Sequence, residues 1–61
     1  MTTDQMLAEA AERRRIARDA LRMSDLLHQA VERERLREHA ALLEGQAAQL
    51  EAEARATLVQ S

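Results

Sequence analysis

The clearest candidate for chemistry is a row of arginines spaced four residues apart. Arg14, Arg18 and Arg22 lie in "RRRIARDALR", and this spacing places them on one face of a helix. Neither Arg14 nor Arg18 has an acidic residue three or four positions away. Because like charges on one face repel, the row predicts an anion supplied from outside its own helix. We expect an acidic protein surface, with nucleic-acid phosphates as the alternative.

Composition bears on this choice of anion. The net charge is -2 and aromatic side chains, on which bases stack, are absent. No helix-turn-helix or basic-zipper pattern extends the row. A third possibility is internal, because Glu44, Glu51 and Glu53 lie in a segment without bases that antiparallel packing places against the arginines. Nucleic acid is therefore the weaker alternative.

A second group of chemically capable residues is Asp25, His28 and Glu32. Their spacing places them on roughly one helical face, with ligand types suited to a metal. However, His39 has no glutamate three residues before it, so the paired Glu-x-x-His motif of di-metal bundles is missing. No serine or acid pair has an evident catalytic arrangement. We predict no catalytic, cofactor-binding or metal-binding residues, and a protein that is not an enzyme.

The elements that carry these residues are predicted to be helical throughout. Proline is absent, Gly45 is the only glycine, and strong helix formers dominate the chain. Thr2 and Gln5 have the spacing of a capping box, which marks the start of a helix. The sequence predicts an all-α fold over residues 1–61, formed as one self-association module.

Two apolar stripes indicate how the helical chain packs. The first contains Met6, Ile16, Ala20, Met23, Leu27 and Ala30, and the second contains Leu36, Ala40, Leu43, Ala47, Leu50 and Ala54. Antiparallel packing about Val31 and Glu32, between two copies or between two halves of one chain, places large residues against small ones. The predicted self-association residues are Ile16, Ala20, Met23, Leu27, Leu36, Ala40, Leu43, Ala47 and Leu50.

The two stripes are out of frame, which raises the question of a bend. A continuous amphipathic helix is the first interpretation, because no Gly, Pro, Asn or Asp interrupts the middle of the chain. A bend near Arg22 to Asp25 is the second, since Ser24 and Asp25 can N-cap a following helix. A turn at Val31 to Arg35 or at Gly45 is the third interpretation. The predicted fold is thus a long helix or a two-helix antiparallel hairpin, associating as a coiled coil or helical bundle.

Chain size and composition suggest that this fold needs a partner. Of the 28 apolar residues 13 are alanine, which adds little burial, and a chain of 61 residues forms a small core. Cysteine is absent, and we find no membrane span or signal peptide, so we expect a cytoplasmic protein that does not contact membranes. We predict a homo-oligomer that acts as a protein-binding adaptor or regulator. The alternatives are a nucleic-acid-binding regulator and a structural coiled-coil spacer.

Overall fold

Two helices form an antiparallel hairpin in the computed structural model, which describes residues 1–60. Helix α1 spans Thr3–Ser24 and helix α2 spans Ala30–Gln60. The Cα trace extends 49 Å along the hairpin and 13 Å in each other direction. The all-α prediction is confirmed in its hairpin form, and the single continuous helix does not form. Over residues 1–60, neither helix is apolar enough over a sufficient length to cross a membrane.

Helix α1 begins with the predicted capping box. The Gln5 backbone N–H donates to Thr2 Oγ1 at 3.1 Å, and the Thr2 backbone N–H donates to Gln5 Oε1 at 2.9 Å. Two amide groups that the helix itself leaves without acceptors are thereby satisfied. Asp4 in the first turn adds a negative charge near the positive end of the helix dipole.

The chain reverses over residues 25–29, directly after the buried side chain of Ser24. Ser24 Oγ donates to the Leu21 carbonyl at 2.6 Å, and the Leu26 amide donates to the Met23 carbonyl at 3.0 Å. These bonds satisfy carbonyl groups at the end of α1. The predicted bend near Arg22 to Asp25 therefore matches the end of α1. The expected N-cap role of Ser24 and Asp25 is wrong, since Ser24 ends the first helix and Asp25 caps its C-terminus.

Arg33 closes the turn from the second helix. Its Nη1 atom donates to the carbonyl groups of Leu27, at 3.0 Å, and His28, at 2.9 Å. The Arg33 amide donates to the Gln29 carbonyl, which continues the helical bonding at the start of α2. Val31 to Arg35 is therefore helical, and no turn forms there.

Gly45 lies inside α2 and does not bend it. No residue from 1 to 60 has a positive φ angle, so Gly45 adopts a backbone conformation open to any residue. A Cβ atom at this position would meet nothing within 4 Å. The prediction of a glycine tolerated within a helix is confirmed.

Small side chains fill the interior of the hairpin. The second stripe lies there as predicted, with Ala40, Leu43 and Ala47 buried and Leu36 and Leu50 half-buried. Among residues 1–60, the buried residues are Ala10, Ala17, Ala20, Ser24, Ala40, Leu43, Ala47 and Ala54. Alanine and serine allow two helix backbones to approach more closely than rows of large side chains do.

The first stripe is rotated relative to its prediction. Ala20 is buried and Leu27 is half-buried, but Ile16 and Met23 are exposed, at 37% and 58%. Their neighbours Ala17 and Ser24 occupy the interior instead, because the close approach of the helices selects the smaller side chain. The antiparallel orientation is correct. The packing of Ile16 and Met23 between chains stays a prediction.

Candidate functional site

Two side-chain contacts between the helices define two long sides of the hairpin. Arg13 Nη1 donates to Gln46 Oε1 on one side, and Arg14 pairs with Glu51 on the other. Consecutive residues of α1 thus point to either side of the alanine interior. We call these surfaces the Gln46 side and the Glu51 side.

The Glu51 side is held by a forked ion pair. Arg14 Nη2 lies 2.7 Å from Glu51 Oε1, and Arg14 Nε lies 3.1 Å from Glu51 Oε2. These hydrogen bonds lower the pKa of Glu51 below its ordinary value and raise the pKa of Arg14. The internal interpretation of the arginine row is therefore confirmed for Arg14, whose anion is an acid of α2.

The other two arginines of the row differ from each other. Arg22 donates to Asp19, whose other oxygen accepts from Arg15 at 3.0 Å. Arg15 also pairs with Glu12, and this hydrogen bond lowers the pKa of Glu12. Arg18 is exposed and has no hydrogen bond or ion pair through its side chain within residues 1–60. Only Arg18 in the row is therefore free to meet an external anion without exchanging a partner.

Exposed leucines flank the arginines on the Glu51 side. Leu7 and Leu21 each lie seven residues from Arg14, on the same face of α1, and are 43% and 39% exposed. Arg18 stands between Arg14 and Leu21 at spacings of four and three. The surface therefore combines cations with apolar contacts, in a spacing that suits another helix. The sequence predicted the arginines but not these leucines.

The Gln46 side carries exposed apolar side chains in its middle. Ile16 and Met23 follow Arg13 by three and ten residues, and Leu42 precedes Gln46 by four, so helical spacing places all three on this side. Leu42 is 60% exposed. Sequence reasoning missed Leu42, although a signal exists, because residues 39–50 carry only one acidic or basic charge, Glu44, around the whole helix.

The second candidate site does not assemble on one face. Asp25 and His28 lie in the reversal between the helices, whereas Glu32 lies in the first turn of α2. Among residues 1–60, no three His, Cys, Asp or Glu side chains are grouped so that they could hold a metal ion. The same part of the chain forms no pocket.

Comparison of the chain with models of known protein families, with curated proteins and with solved structures finds no match. Function is therefore inferred from the side chains and their packing.

Proposed function

We propose that this protein is a non-enzymatic helical interaction module, which self-associates and binds a protein partner as an adaptor or regulator. One observation carries the proposal: the hairpin buries alanine and exposes its large apolar side chains. Ten of its fifteen Leu, Ile, Val and Met residues are exposed, and Leu43, at 9% exposure, is the only one that is buried among residues 1–60. Exposed apolar side chains concentrated on a small hairpin are typical of interaction surfaces.

The energetics of burial support self-association. Full burial of a Leu, Ile or Met side chain stabilises a protein by about 1.5–3 kcal/mol, whereas alanine contributes much less. A single hairpin with an alanine interior leaves most of this free energy unused. Small helical scaffolds commonly gain stability through oligomerisation. A second copy of the chain supplies the missing burial.

The Glu51 side suits a protein partner with an acidic amphipathic helix. Leu7 and Leu21 offer apolar contacts at helical spacing, and Arg18 offers an unpaired cation between them. A phosphate backbone would instead have to compete with Glu51 for Arg14 and with Asp19 for Arg22. A structural spacer would leave Leu7, Arg18 and Leu21 without a contact. These features favour the protein partner over both alternatives.

The test is affinity capture from host extract, with and without nuclease treatment, followed by quantitative mass spectrometry. We expect Arg18→Glu to lose a defined set of proteins that wild type retains, because reversal of the free cation repels an acidic partner. Arg35→Glu is the matched control, since Arg35 is also exposed and unpaired within residues 1–60 but lies seven residues before Leu42, on the Gln46 side. Equal capture by wild type and Arg18→Glu would contradict the proposed contact. Loss of capture on nuclease treatment would favour the nucleic-acid alternative.

A further inference from the structure

A charged residue lies within the apolar seam between the two helices. The buried and half-buried positions of α1 follow spacings of four and three residues, and Arg13 falls in this series between Ala10 and Ala17. Met6 and Ala20 lie seven residues to either side of it and are half-buried and buried. From Met6 to Ala20, Arg13 therefore takes a position that the seam otherwise gives to apolar side chains.

The guanidinium of Arg13 reaches the edge of the seam, but part of the side chain stays inside. Its Nη2 atom lies 2.9 Å from Glu9 Oε1, and its Nη1 atom donates to Gln46 Oε1. Its Nε atom is buried and has no hydrogen-bond partner within residues 1–60. A buried donor without an acceptor opposes closure of the helices around it, because it has lost its hydrogen bond to water. We call Arg13 and Gln46 the polar layer.

The polar layer divides the seam into two halves. The buried apolar cluster has Leu36 packed against it and contains Ala17, Ala20, Ala40 and Leu43. All five residues lie between the polar layer and the reversal. Ala10 and Ala54 are also fully buried, but they lie on the other side of the layer and outside the cluster. We call residues 17–24 and 30–43 the turn half and residues 3–12 and 48–60 the open half.

The two halves are closed by unequal means. The turn half is held by the reversal and by Arg33, whose guanidinium donates to two carbonyl groups there. The helices of the open half have no chain connection to each other. The ion pair at its boundary, Arg14 with Glu51, has side chains that are 37% and 32% exposed. Because partly exposed ion pairs add little stability, the open half is the easier one to separate.

We infer that the polar layer lets the open half of the hairpin separate while the turn half stays closed. Separation lets water reach the Arg13 Nε atom, which offsets part of the lost packing. It also uncovers Met6 and Leu50, which are half-buried in the closed hairpin, so that this part of the seam becomes accessible to another helix. The hairpin thus contains a local opening unit that is distinct from its two outer sides.

Amide hydrogen exchange at four buried residues tests this inference. Ala10 and Ala54 report on the open half, and Ala20 and Leu43 report on the turn half. All four are 9% exposed or less, so burial of the side chain does not distinguish them. We expect the Ala10 and Ala54 amides to exchange at least about tenfold faster than the other two. Their rates should respond weakly to urea, because local opening exposes little surface.

Replacement of Arg13 separates the effect of the polar layer from ordinary fraying of helix ends. In Arg13→Leu, and in the slimmer Arg13→Met, an apolar side chain continues the seam. We expect all four amides then to exchange at similar rates with the same strong dependence on urea, because the two halves open together. Arg18→Leu is the matched control, since Arg18 is an exposed arginine of the same helix, and it should keep the wild-type difference. Circular dichroism checks that each variant is helical.

The outcomes decide the inference without reference to partner capture or oligomer mass, on which the proposed function depends. Equal rates and equal urea dependence at the four amides of the wild-type chain would overturn it, because the hairpin would open as one unit. A wild-type difference that persists in both Arg13 variants would also overturn it, because end fraying would then explain the pattern. Loss of the difference in the Arg13 variants and its retention in Arg18→Leu supports it.

Discussion

The two sides of the hairpin are held together by the adjacent residues Arg13 and Arg14, yet they present different chemistry. The Arg13 contact uses an amide and lies on the same side of the hairpin as exposed Ile16, Met23 and Leu42. The Arg14 contact on the Glu51 side uses a carboxylate and continues into the unpaired Arg18. One helix pair thus exposes an apolar surface and a cationic surface. The comparison teaches that adjacent residues of one helix can give the two sides of a small hairpin different chemistry.

Both sides depend on the close approach of the helices, and overpacking the interior should have the largest effect. Ala47 is fully buried, so Ala47→Leu should lower the free energy of unfolding by about 1–3 kcal/mol. Ala48→Leu is the control, because Ala48 is exposed and leucine is almost as good a helix former as alanine. Chemical denaturation followed by circular dichroism measures both. An equal response at the two positions would show that the alanine interior is wrongly placed.

Substitution of Gly45 tests the stability of helix α2 without changing either side of the hairpin. Because a Cβ atom there meets nothing within 4 Å, Gly45→Ala should stabilise the helix by about 1 kcal/mol through propensity alone. The reverse change, Ala48→Gly, should destabilise it by a similar amount. Thermal unfolding at fixed chain concentration measures both changes. A lowered melting temperature for Gly45→Ala would reveal a contact at this position that the single hairpin lacks.

The smallest expected effect is a pH dependence of stability that comes from the Arg14 contact with Glu51 and that the Arg13 contact with the uncharged Gln46 lacks. The Arg14 hydrogen bonds hold the pKa of Glu51 below its ordinary 4.5, so their stabilisation is present above the unfolded-state pKa and is lost as pH falls through the folded-state pKa. Wild type should therefore exceed Glu51→Gln in stability near neutral pH, and the difference should shrink in acid. Glu38→Gln, at an exposed acid without an ion pair among residues 1–60, is the control. A difference that does not change with pH would contradict the role of Arg14.

Much of the fold was predictable from local signals. The capping box of Thr2 and Gln5, the Ala and Leu stripe of α2 and the helical Gly45 all follow from spacing and propensity, and the structure confirms them. The antiparallel charge pattern also offered an acid of the C-terminal segment to Arg14 as the alternative to an external partner, and the structure shows that pair. These features depend on residues close in sequence or on the sign of charge, both of which a single sequence displays.

The features that the sequence did not predict depend on how closely the helices pack and on contacts that follow no local sequence pattern. Ile16 and Met23 were placed on the packing seam because of the spacing of the apolar stripe, whereas inside this hairpin Ala17 and Ser24 take the buried positions because they are smaller. The reversal contains no glycine or proline and is closed by the Arg33 guanidinium on backbone carbonyl groups. No sequence motif marks such a bond.

The most direct test of the central claim, that an alanine-filled hairpin with exposed large apolar residues requires a second copy, is the mass of the wild-type chain in solution. Sedimentation equilibrium over a range of concentrations should give twice the 6.9 kDa of one chain, and the melting temperature should rise with concentration. A mass of 6.9 kDa at every concentration, with a melting temperature independent of concentration, would contradict the account.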